Sequence, residues 1–259
     1  MDVAIIIGSY PADQNIKKNL LELGFNKKGN LHIKDNLTIH EFDQRCLEIQ
    51  IPSSLKADLL VYATIHQSAS GTPSLTCHSP GNFGIAKDGG ESHKLSIAPA
   101  SYLREFFLAL KKKNLDTEVT LEATHHGPTI NRPVIFVEIG SGEEQWSDES
   151  LGKIMAETIL EVFTKEYEHK SCFVIGGGHY NPVAMKVNER TDYAVGHICP
   201  KHNIEHLTTK LVDEALEKTL PKADLIVVDW KGVGPHKDHI KQILEGKNWV
   251  KAKSLWSKQ

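Results

Sequence analysis

Residues 3–9 read VAIIIGS, and the run is apolar and mostly β-branched from Val3 to Ile7. A strand with one solvated face alternates apolar and polar residues, whereas a strand covered on both faces is apolar throughout. The run therefore predicts a strand inside a covered sheet. Six further runs resemble it: ADLLVYAT (57–64), EVTLEAT (118–124), PVIFVEIG (133–140), SCFVIGGG (171–178), YAVGHIC (193–199) and ADLIVVDW (223–230).

Segments with a helical repeat lie between most of these runs. The segment SYLREFFLALKKK carries an apolar stripe of Leu103, Phe106, Phe107 and Leu110 and ends in lysines, which are favourable at a helix C-terminus. Comparable patterns occupy residues 12–23, 148–163, 205–220 and 237–245. Strands that alternate with helices indicate an α/β fold with a mostly parallel or mixed sheet and helices on both faces.

No linker, internal repeat or low-complexity tract interrupts this alternation. We therefore expect residues 1–259 to form a single α/β domain, a length that such folds reach as one unit. The C-terminal segment 246–259 fits the pattern least. Residues 78–98 are rich in glycine, serine and charge and lack periodicity, so they predict a long mobile loop, a candidate lid.

Composition restricts the class of protein. The formal net charge is −3 in 259 residues, which argues against a protein that coats DNA or RNA through bulk charge, so any RNA contact needs a local basic patch. The four cysteines form no CxxC pair, which favours a reducing cytoplasm. No apolar run is long enough for a signal or membrane segment. We expect a cytoplasmic protein without membrane or DNA partners, and a monomer.

Histidines stand at the ends of several predicted strands. His66 follows one strand, His125 and His126 follow another, His179 follows a third, and His197 lies near the end of a fourth. Ligands of open α/β sheets collect at the carboxyl ends of the strands. A single strand-end histidine is most often a hydrogen-bonded structural residue, but four such places favour one crevice lined with imidazole.

These imidazoles are suited to zinc binding, to proton transfer or to orienting other groups, and the spacing leaves the three roles open. The pattern is not that of a helix-borne zinc site, so a metal would be held by distant segments. His125 and His126 are adjacent, and only one of them can face a site from an extended strand unless the following turn bends them together. Glu122 has the same strand parity as His126 and is a second candidate, with a solvated carboxylate as its structural alternative.

Glycine-rich turns and a basic tail are further candidates. The GGG at 176–178 and the GSG at 140–142 let main-chain N–H groups approach a phosphate or an oxyanion, although neither matches a nucleotide-binding motif. SASG is not a nucleophile elbow either. The tail GKNWVKAKSLWSKQ (246–259) holds four lysines, two tryptophans and no acid. It predicts either an RNA contact or an edge segment that packs its tryptophans on the core.

Several uncommon motifs together resemble one family, the archaeal and plant type of D-aminoacyl-tRNA deacylase. In chain order they are SASGTPSLTCHSPGN (68–82), LEATHHGPT (121–129), PVIFVEIGSGEEQW (133–146), GGGHY (176–180), VGHICPKH (195–202) and VDWKG (228–232). The resemblance runs from near the start of the chain to about residue 232. The stretch HYNPVAMKV departs from the expected pattern, because a more basic or hydroxyl-rich stretch would follow GGGHY.

The resemblance implies a zinc-dependent enzyme that hydrolyses the ester between a D-amino acid and the tRNA 3′ end, on a fold similar to peptidyl-tRNA hydrolase and nucleoside phosphorylases. Carried onto this sequence, it implies a site in which water attacks the ester carbonyl and a glycine-rich turn cradles the oxyanion. We expect catalytic roles for His125, His126 and Glu122. We expect zinc ligands among His66, His78, His179 and His197. We expect substrate contacts from Ser68, Ser70, Gly71, Gly177 and Gly178.

Two alternatives remain open from sequence. One is a different enzyme on a similar fold, of the peptidyl-tRNA hydrolase or nucleoside phosphorylase kind. The other is a non-catalytic tRNA-binding module, which accounts for the tail and the glycine turns but not for histidines gathered at strand ends.

Overall fold

The structure is a computed structural model that describes residues 1–69, 71–113 and 115–256. Its contacts divide the chain into two compact units. The first unit comprises residues 1–77, 105–119 and 132–166, and the second comprises residues 78–104, 120–131 and 167–259. That residues 1–259 behave as one domain stays a prediction.

Strands of the described residues are, in chain order, β1 (Val3–Ile7), β2 (Asn26–Lys28), β3 (Leu31–Lys34), β4 (Leu37–Glu41), β5 (Leu59–Gln67), β6 (Ser74–His78), β7 (Gly81–Asn82), β8 (Lys94–Leu95), β9 (Ala98–Pro99), β10 (Glu118–Leu121), β11 (Val134–Ser141), β12 (Lys170–Ile175), β13 (Tyr193–Cys199), β14 (Thr219–Leu220), β15 (Leu225–Val228) and β16 (Trp249–Lys251). All seven strands predicted from sequence are present, and each end lies within three residues of the predicted one.

Helices of the described residues are α1 (Pro11–Glu22), α2 (Ala100–Lys112), α3 (Glu143–Trp146), α4 (Glu149–Phe163), α5 (Pro182–Arg190), α6 (Thr209–Glu217), α7 (Lys237–Ile243) and α8 (Lys253–Trp256). Five of them match the predicted helical segments. Helix α5 lies where the sequence departs from the family pattern, and Asn181 caps it by accepting a hydrogen bond from the Ala184 N–H at 3.0 Å. Proline at the first helical position is compatible with this start because its missing N–H has no helical acceptor.

A mixed sheet forms the centre of the first unit. Its eight strands run in the order β10-β6-β11-β5-β1-β4-β3-β2. Strand β1 pairs in parallel with β4 and β5, and β5 pairs in parallel with β11, whereas β2, β3 and β4 form an antiparallel ribbon. Strands β1 and β11 are buried along their whole length, as a strand covered on both faces requires. Tyr62 and Phe136, directly opposite each other, stack with ring centroids 4.6 Å apart.

A second, all-parallel sheet forms the centre of the second unit, with strand order β13-β12-β15-β16. Its core includes Phe173 of β12 and Phe83, whose rings stack 5.6 Å apart. Phe83 belongs to the predicted lid, yet residues 78–84 are all buried. That part of the predicted loop is therefore packed core, because its aromatic side chain contributes to the hydrophobic centre of the unit.

The α/β fold class with parallel and mixed sheets is confirmed. Among the described residues, no helix combines the length and the apolar composition that crossing a membrane requires. The three parallel strands β12, β13 and β15 end at the same edge of their sheet. The loop that follows β12 carries His179.

Candidate active site

Glu122 and His179 are brought together by pairing of the segment after β10 with the segment after β12. The Ala123 N–H donates to the His179 carbonyl at 2.7 Å, and the Asn181 N–H donates to the Leu121 carbonyl at 3.1 Å. This places the His179 ring beside Glu122, and Nε2 lies 2.7 Å from the carboxylate Oε2. A carboxylate that is ionised only accepts, so the ring donates its Nε2 proton in this contact.

A second backbone pairing brings His78 to the two adjacent histidines. Pro80 bridges to His125, and the Gly81 N–H donates to the His126 carbonyl at 2.8 Å. His126 has a φ of 44°, a left-handed conformation that an L-residue adopts at a cost of about 1–2 kcal/mol. Because of this bend the rings of His125 and His126 both face the same place. The turn therefore answers the question that the sequence left open, namely whether both adjacent histidines can face one site.

The result is a compact group that we name the histidine cluster, and it consists of His78, His125, His126, His179 and Glu122. The His125 ring is central, with centroids 4.3 Å from His78, 4.3 Å from His126 and 4.5 Å from His179. Its Nε2 lies 3.6 Å from the Glu122 carboxylate. Glu122 and His78 are buried, while the other three members are half-buried.

Burial and neighbouring imidazoles keep His125 neutral. Its pKa lies well below the ordinary histidine value, chiefly because burial removes water from the charged form and then because His78 and His126 repel a positive charge. Its Nδ1–H donates to the Ala123 carbonyl at 2.8 Å. His126 is held in the same way, through Nδ1 and the Gly127 carbonyl. A carbonyl only accepts, so both rings carry a proton at Nδ1, and in neutral His125 the lone pair lies on Nε2.

This arrangement suits a metal ion. The ligand atoms of His78, His125 and His126 lie within 4.8 Å of one another, and so do those of Glu122, His125 and His179. Metal-binding histidines commonly donate their second ring N–H to a backbone carbonyl, which fixes the ring and raises its basicity. His125 and His126 meet that requirement, and imidazole with carboxylate is a donor set that zinc accepts.

His197 is not brought into the cluster. It is fully buried in the same unit, where its Nε2–H donates to the Ser96 carbonyl at 3.1 Å and its Nδ1 accepts from the Thr124 hydroxyl at 3.2 Å. Burial lowers its pKa to about 4. Both ring nitrogens therefore have neutral partners, which is the pattern of a structural histidine. The contacts give no support to its expected role as a zinc ligand.

Three other predicted residues lie in the first unit. His66 is buried at the end of β5 with Nδ1 3.5 Å from the Glu138 carboxylate, and its carbonyl accepts from the Trp146 indole N–H at 3.2 Å. Ser68 and Gly71 belong to the turn that follows, where the Gly71 N–H donates to the Ser68 carbonyl at 3.3 Å. Ser70 lies outside the described residues. The roles expected for these four residues stay predictions.

The glycine loop after β12 is held by its own backbone. Gly176 and Gly177 have φ values of 104° and 85°, which favour glycine. The Gly177 N–H donates to the Gly232 carbonyl at 3.4 Å, so this donor is used within the fold. Gly177 and Gly178 line a cleft, described below, beside His179. Sequence reasoning did not single out Asn181, whose amide donates to the Gly176 carbonyl at 2.7 Å, although the Asn-Pro pair is a helix-start signal.

Comparisons with known proteins agree with the motifs. The family model described as D-aminoacyl-tRNA deacylase matches residues 53–250. The D-aminoacyl-tRNA deacylase of Pyrococcus furiosus is 37% identical over 238 residues, which cover 85% of this chain and 87% of that protein. The enzyme of the same name from Cenarchaeum symbiosum is 34% identical over 253 residues, covering 95% and 97%.

A solved structure has the same fold. It is the crystal structure of a conserved protein of unknown function, with a TM-score of 0.89 at 28% identity over 98% of this chain and 96% of that one. The family match covers more than half of the sequence, and the two named relatives extend over most of its length. The chain belongs to the D-aminoacyl-tRNA deacylase family.

Proposed function

We propose that the histidine cluster is the centre at which this chain hydrolyses the ester bond of D-aminoacyl-tRNA, releasing the D-amino acid and free tRNA. Membership of the family makes the chain a hydrolase that acts on ester bonds. One observation carries the assignment of the site: four imidazoles and one buried carboxylate converge from three separate segments of the second unit. An activated ester needs a positioned water and a base rather than a strong nucleophile.

Zinc is the metal that we propose for this site, and His78, His125 and His126 would hold it. When bound, it would act as a Lewis acid that lowers the pKa of water and polarises a carbonyl group. The fit depends on the lone pairs at Nε2 of His125 and His126, which the hydrogen bonds of their Nδ1 atoms fix. The second group, Glu122 with His125 and His179, is the alternative ligand set.

Glu122 and His179 would then transfer protons. The Glu122 carboxylate is buried and lies 2.7 Å from Nε2 of His179, which orients it. In our proposal Glu122 accepts the proton of the attacking water, and the half-buried His179 passes its Nε2 proton to the leaving 3′ oxygen of the ribose. Glu122 then returns the accepted proton to Nε2 of His179, so both groups end in their starting protonation states. Ester hydrolysis consumes one water, and its atoms end in the amino-acid carboxyl group and the ribose hydroxyl.

A tRNA substrate also supports a cytoplasmic location, because charged tRNA is used by the ribosome there. The chain would act as a monomer, without DNA and without a membrane partner. These statements extend the proposal.

The test incubates the purified chain with D-Tyr-tRNA and L-Tyr-tRNA, with and without a chelator, and adds zinc back to the chelated sample. We expect only the D-ester to be lost, chelation to abolish the loss and zinc to restore it. His126→Ala should be inactive, whereas His32→Ala, in strand β3 of the first unit, should match wild type. Equal cleavage of both esters would contradict the specificity for D-amino acids, and cleavage that survives chelation would contradict the role of zinc. Cleavage of N-blocked peptidyl-tRNA would favour the peptidyl-tRNA hydrolase alternative.

A further inference from the structure

A cleft opens beside the histidine cluster, at the edge where β12, β13 and β15 end. It has a volume of about 690 Å³ and is lined by Gly177, Gly178, Lys201, His202, Gly232 and His236, with Glu205 as its acidic member. Volumes of about 300–1,000 Å³ are typical of small-ligand sites. Gly178 precedes His179 in the chain, so the cleft adjoins the proposed catalytic residues directly. We name it the strand-end cleft.

Backbone contacts hold the walls of the strand-end cleft together. The Lys201 N–H donates to the Gly177 carbonyl at 2.9 Å, which ties the loop after β13 to the loop after β12. Gly232 contributes the third wall through its carbonyl and the Gly177 N–H. The pKa of His202 is lowered chiefly by burial and then by the nearby His179 ring, so the two histidines are close in space. The cleft is therefore a built concavity next to His179.

A cationic surface continues from the cleft along the chain in both directions. Trp230 lies two residues before Gly232, and Lys237 follows His236. The ammonium groups of three lysines lie over the Trp230 ring, with Nζ of Lys251 at 4.7 Å, Lys237 at 5.9 Å and Lys241 at 6.0 Å from its centroid. These lysines come from β16 and α7 and converge on one indole. We name this group the lysine–tryptophan surface.

The tryptophans of this surface are packed, and the lysines are the exposed groups. Trp230 stacks with Trp249 at a centroid distance of 5.9 Å, and both pack against the hydrophobic core of the second unit. Trp249 therefore packs on the core from an edge strand, which is one of the two structures predicted for the tail. A partly buried indole attracts ammonium groups to its face and holds them in place.

Two of the three lysines, Lys237 and Lys251, are available to bind an anionic partner. Lys241 pairs with Asp238 at 3.0 Å. Within the described part of the chain, no carboxylate lies within 4.0 Å of Lys237 or Lys251, and both side chains are exposed. Since the chain carries a net charge of −3, this local concentration of positive charge is the basic patch that an RNA contact requires.

We propose that the strand-end cleft receives the terminal nucleoside of the tRNA acceptor arm and that Lys237 and Lys251 contact phosphates of the same arm. The inference rests on the proposed function, because it takes the substrate ester to lie at the histidine cluster. Lys201 lines the cleft and adds a positive charge to it. The surface positions the RNA through its backbone, and the Trp230 ring holds the lysines rather than stacking on a base.

The experiment measures the Kd of the full chain for uncharged tRNA across a range of salt concentrations. The double variant K237Q/K251Q removes two charges, and K153Q/K165Q, in exposed positions of the first unit, removes two charges as a control. Each phosphate contact contributes roughly 0.7–0.9 to the slope of log Kd against log salt, so the slope should fall by about 1.5 in K237Q/K251Q and stay at the wild-type value in the control. K237R/K251R should restore the wild-type slope, and thermal unfolding checks that all variants fold.

The same variants separate this proposal from the proposed function. With D-Tyr-tRNA we expect K237Q/K251Q to raise KM roughly tenfold at about 0.1 M salt and to change kcat little. An acceptor-stem minihelix should show the same loss of slope as full-length tRNA. An unchanged slope, or an equal loss in K153Q/K165Q, would overturn the lysine–tryptophan surface even if the D-ester is hydrolysed. A slope loss in a chain that hydrolyses no ester would instead contradict the proposed function and leave the surface standing.

Discussion

The histidine cluster and His197 lie in the same unit and contain the same side chain, but their imidazole nitrogens have different partners. His125 and His126 each use Nδ1 on a backbone carbonyl, and their Nε2 lone pairs belong to a group that can hold a cation. His197 uses both nitrogens on the neutral groups of Ser96 and Thr124. All three histidines were placed in one crevice from sequence because they lie near strand ends, with catalytic roles expected for His125 and His126 and zinc binding for His197. The difference lies in the second ring nitrogen, which in His197 has a neutral hydrogen-bond partner and in His125 and His126 belongs to a group of possible metal ligands.

The largest effect is expected from His125→Ala, because His125 belongs to both of the ligand groups of the second unit described above. We expect kcat/KM for D-Tyr-tRNA to fall about 10³-fold or more, which is of the order that metal and proton-transfer groups contribute. Bound zinc, measured by mass spectrometry of the purified protein, should fall with it. Retention of activity within threefold of wild type would remove the cluster from the mechanism.

Glu122→Gln tests the division of labour within the cluster. The amide keeps the shape of the side chain but cannot accept a proton, so kcat should fall about 10²-fold while KM changes little. Zinc content should stay at the wild-type level if His78, His125 and His126 are the ligands. Loss of zinc in this variant would instead indicate that Glu122, His125 and His179 are the ligands.

The pH dependence of stability tests whether His197 is a buried, neutral histidine. The pKa of His197 in the fold is about 4, below its unfolded value of about 6.5, so its contribution to stability is fully present above pH 6.5 and is lost as the pH falls to 4. The loss approaches about 3 kcal/mol. In His197→Gln the amide offers one donor and one acceptor but does not titrate.

Chemical unfolding of wild type and His197→Gln at several pH values isolates this contribution, since other titrating groups are common to both. As the pH falls from 7 to 4, the free energy of unfolding of wild type should fall by up to about 3 kcal/mol more than that of the variant. Parallel curves would show that His197 is not held neutral in the fold.

The smallest effect is expected in the glycine loop that carries His179. Gly177 has a φ of 85°, and a Cβ there would lie 2.8 Å from the Asn181 amide nitrogen, whereas a Cβ on Gly178 would meet only the Tyr180 carbonyl at 3.6 Å. Gly177→Ala should lower the free energy of unfolding by about 1–2 kcal/mol, and Gly178→Ala should leave it within about 0.5 kcal/mol. Thermal and urea unfolding measure both, and equal effects would show that the backbone of Gly177 is not constrained.

The strands of the fold could be predicted well because continuous apolar runs have one physical meaning in an α/β sheet. All seven were found, including β1 and β15. The antiparallel ribbon β2–β4 and strand β6 were missed, because they are short and lack the continuous apolar run of the other strands; β3 and β4 alternate apolar and polar residues over only four and five positions. Helix α5 was missed as well, because its nine residues span too few turns to show a clear apolar stripe; its start is marked only by the Asn181 cap and Pro182.

The site could be predicted only in part. Strand-end positions indicated His125, His126 and His179, strand parity indicated Glu122, and the family resemblance added His78. Sequence could not show that Glu122 meets His179, because the pairing of two loop segments 57 residues apart depends on tertiary hydrogen bonds. Nor could it show that His197 is satisfied by Ser96, which lies 101 residues away.

The most direct test of the central claim is a crystal structure of the zinc-loaded chain with anomalous diffraction recorded at the zinc absorption edge. If three imidazoles of the second unit form the metal site, an anomalous peak should lie about 2.0–2.1 Å from the Nε2 atoms of His125 and His126 and from a ring nitrogen of His78. A peak elsewhere, or none at this place in a crystal of zinc-loaded enzyme that hydrolyses D-Tyr-tRNA, would contradict the account.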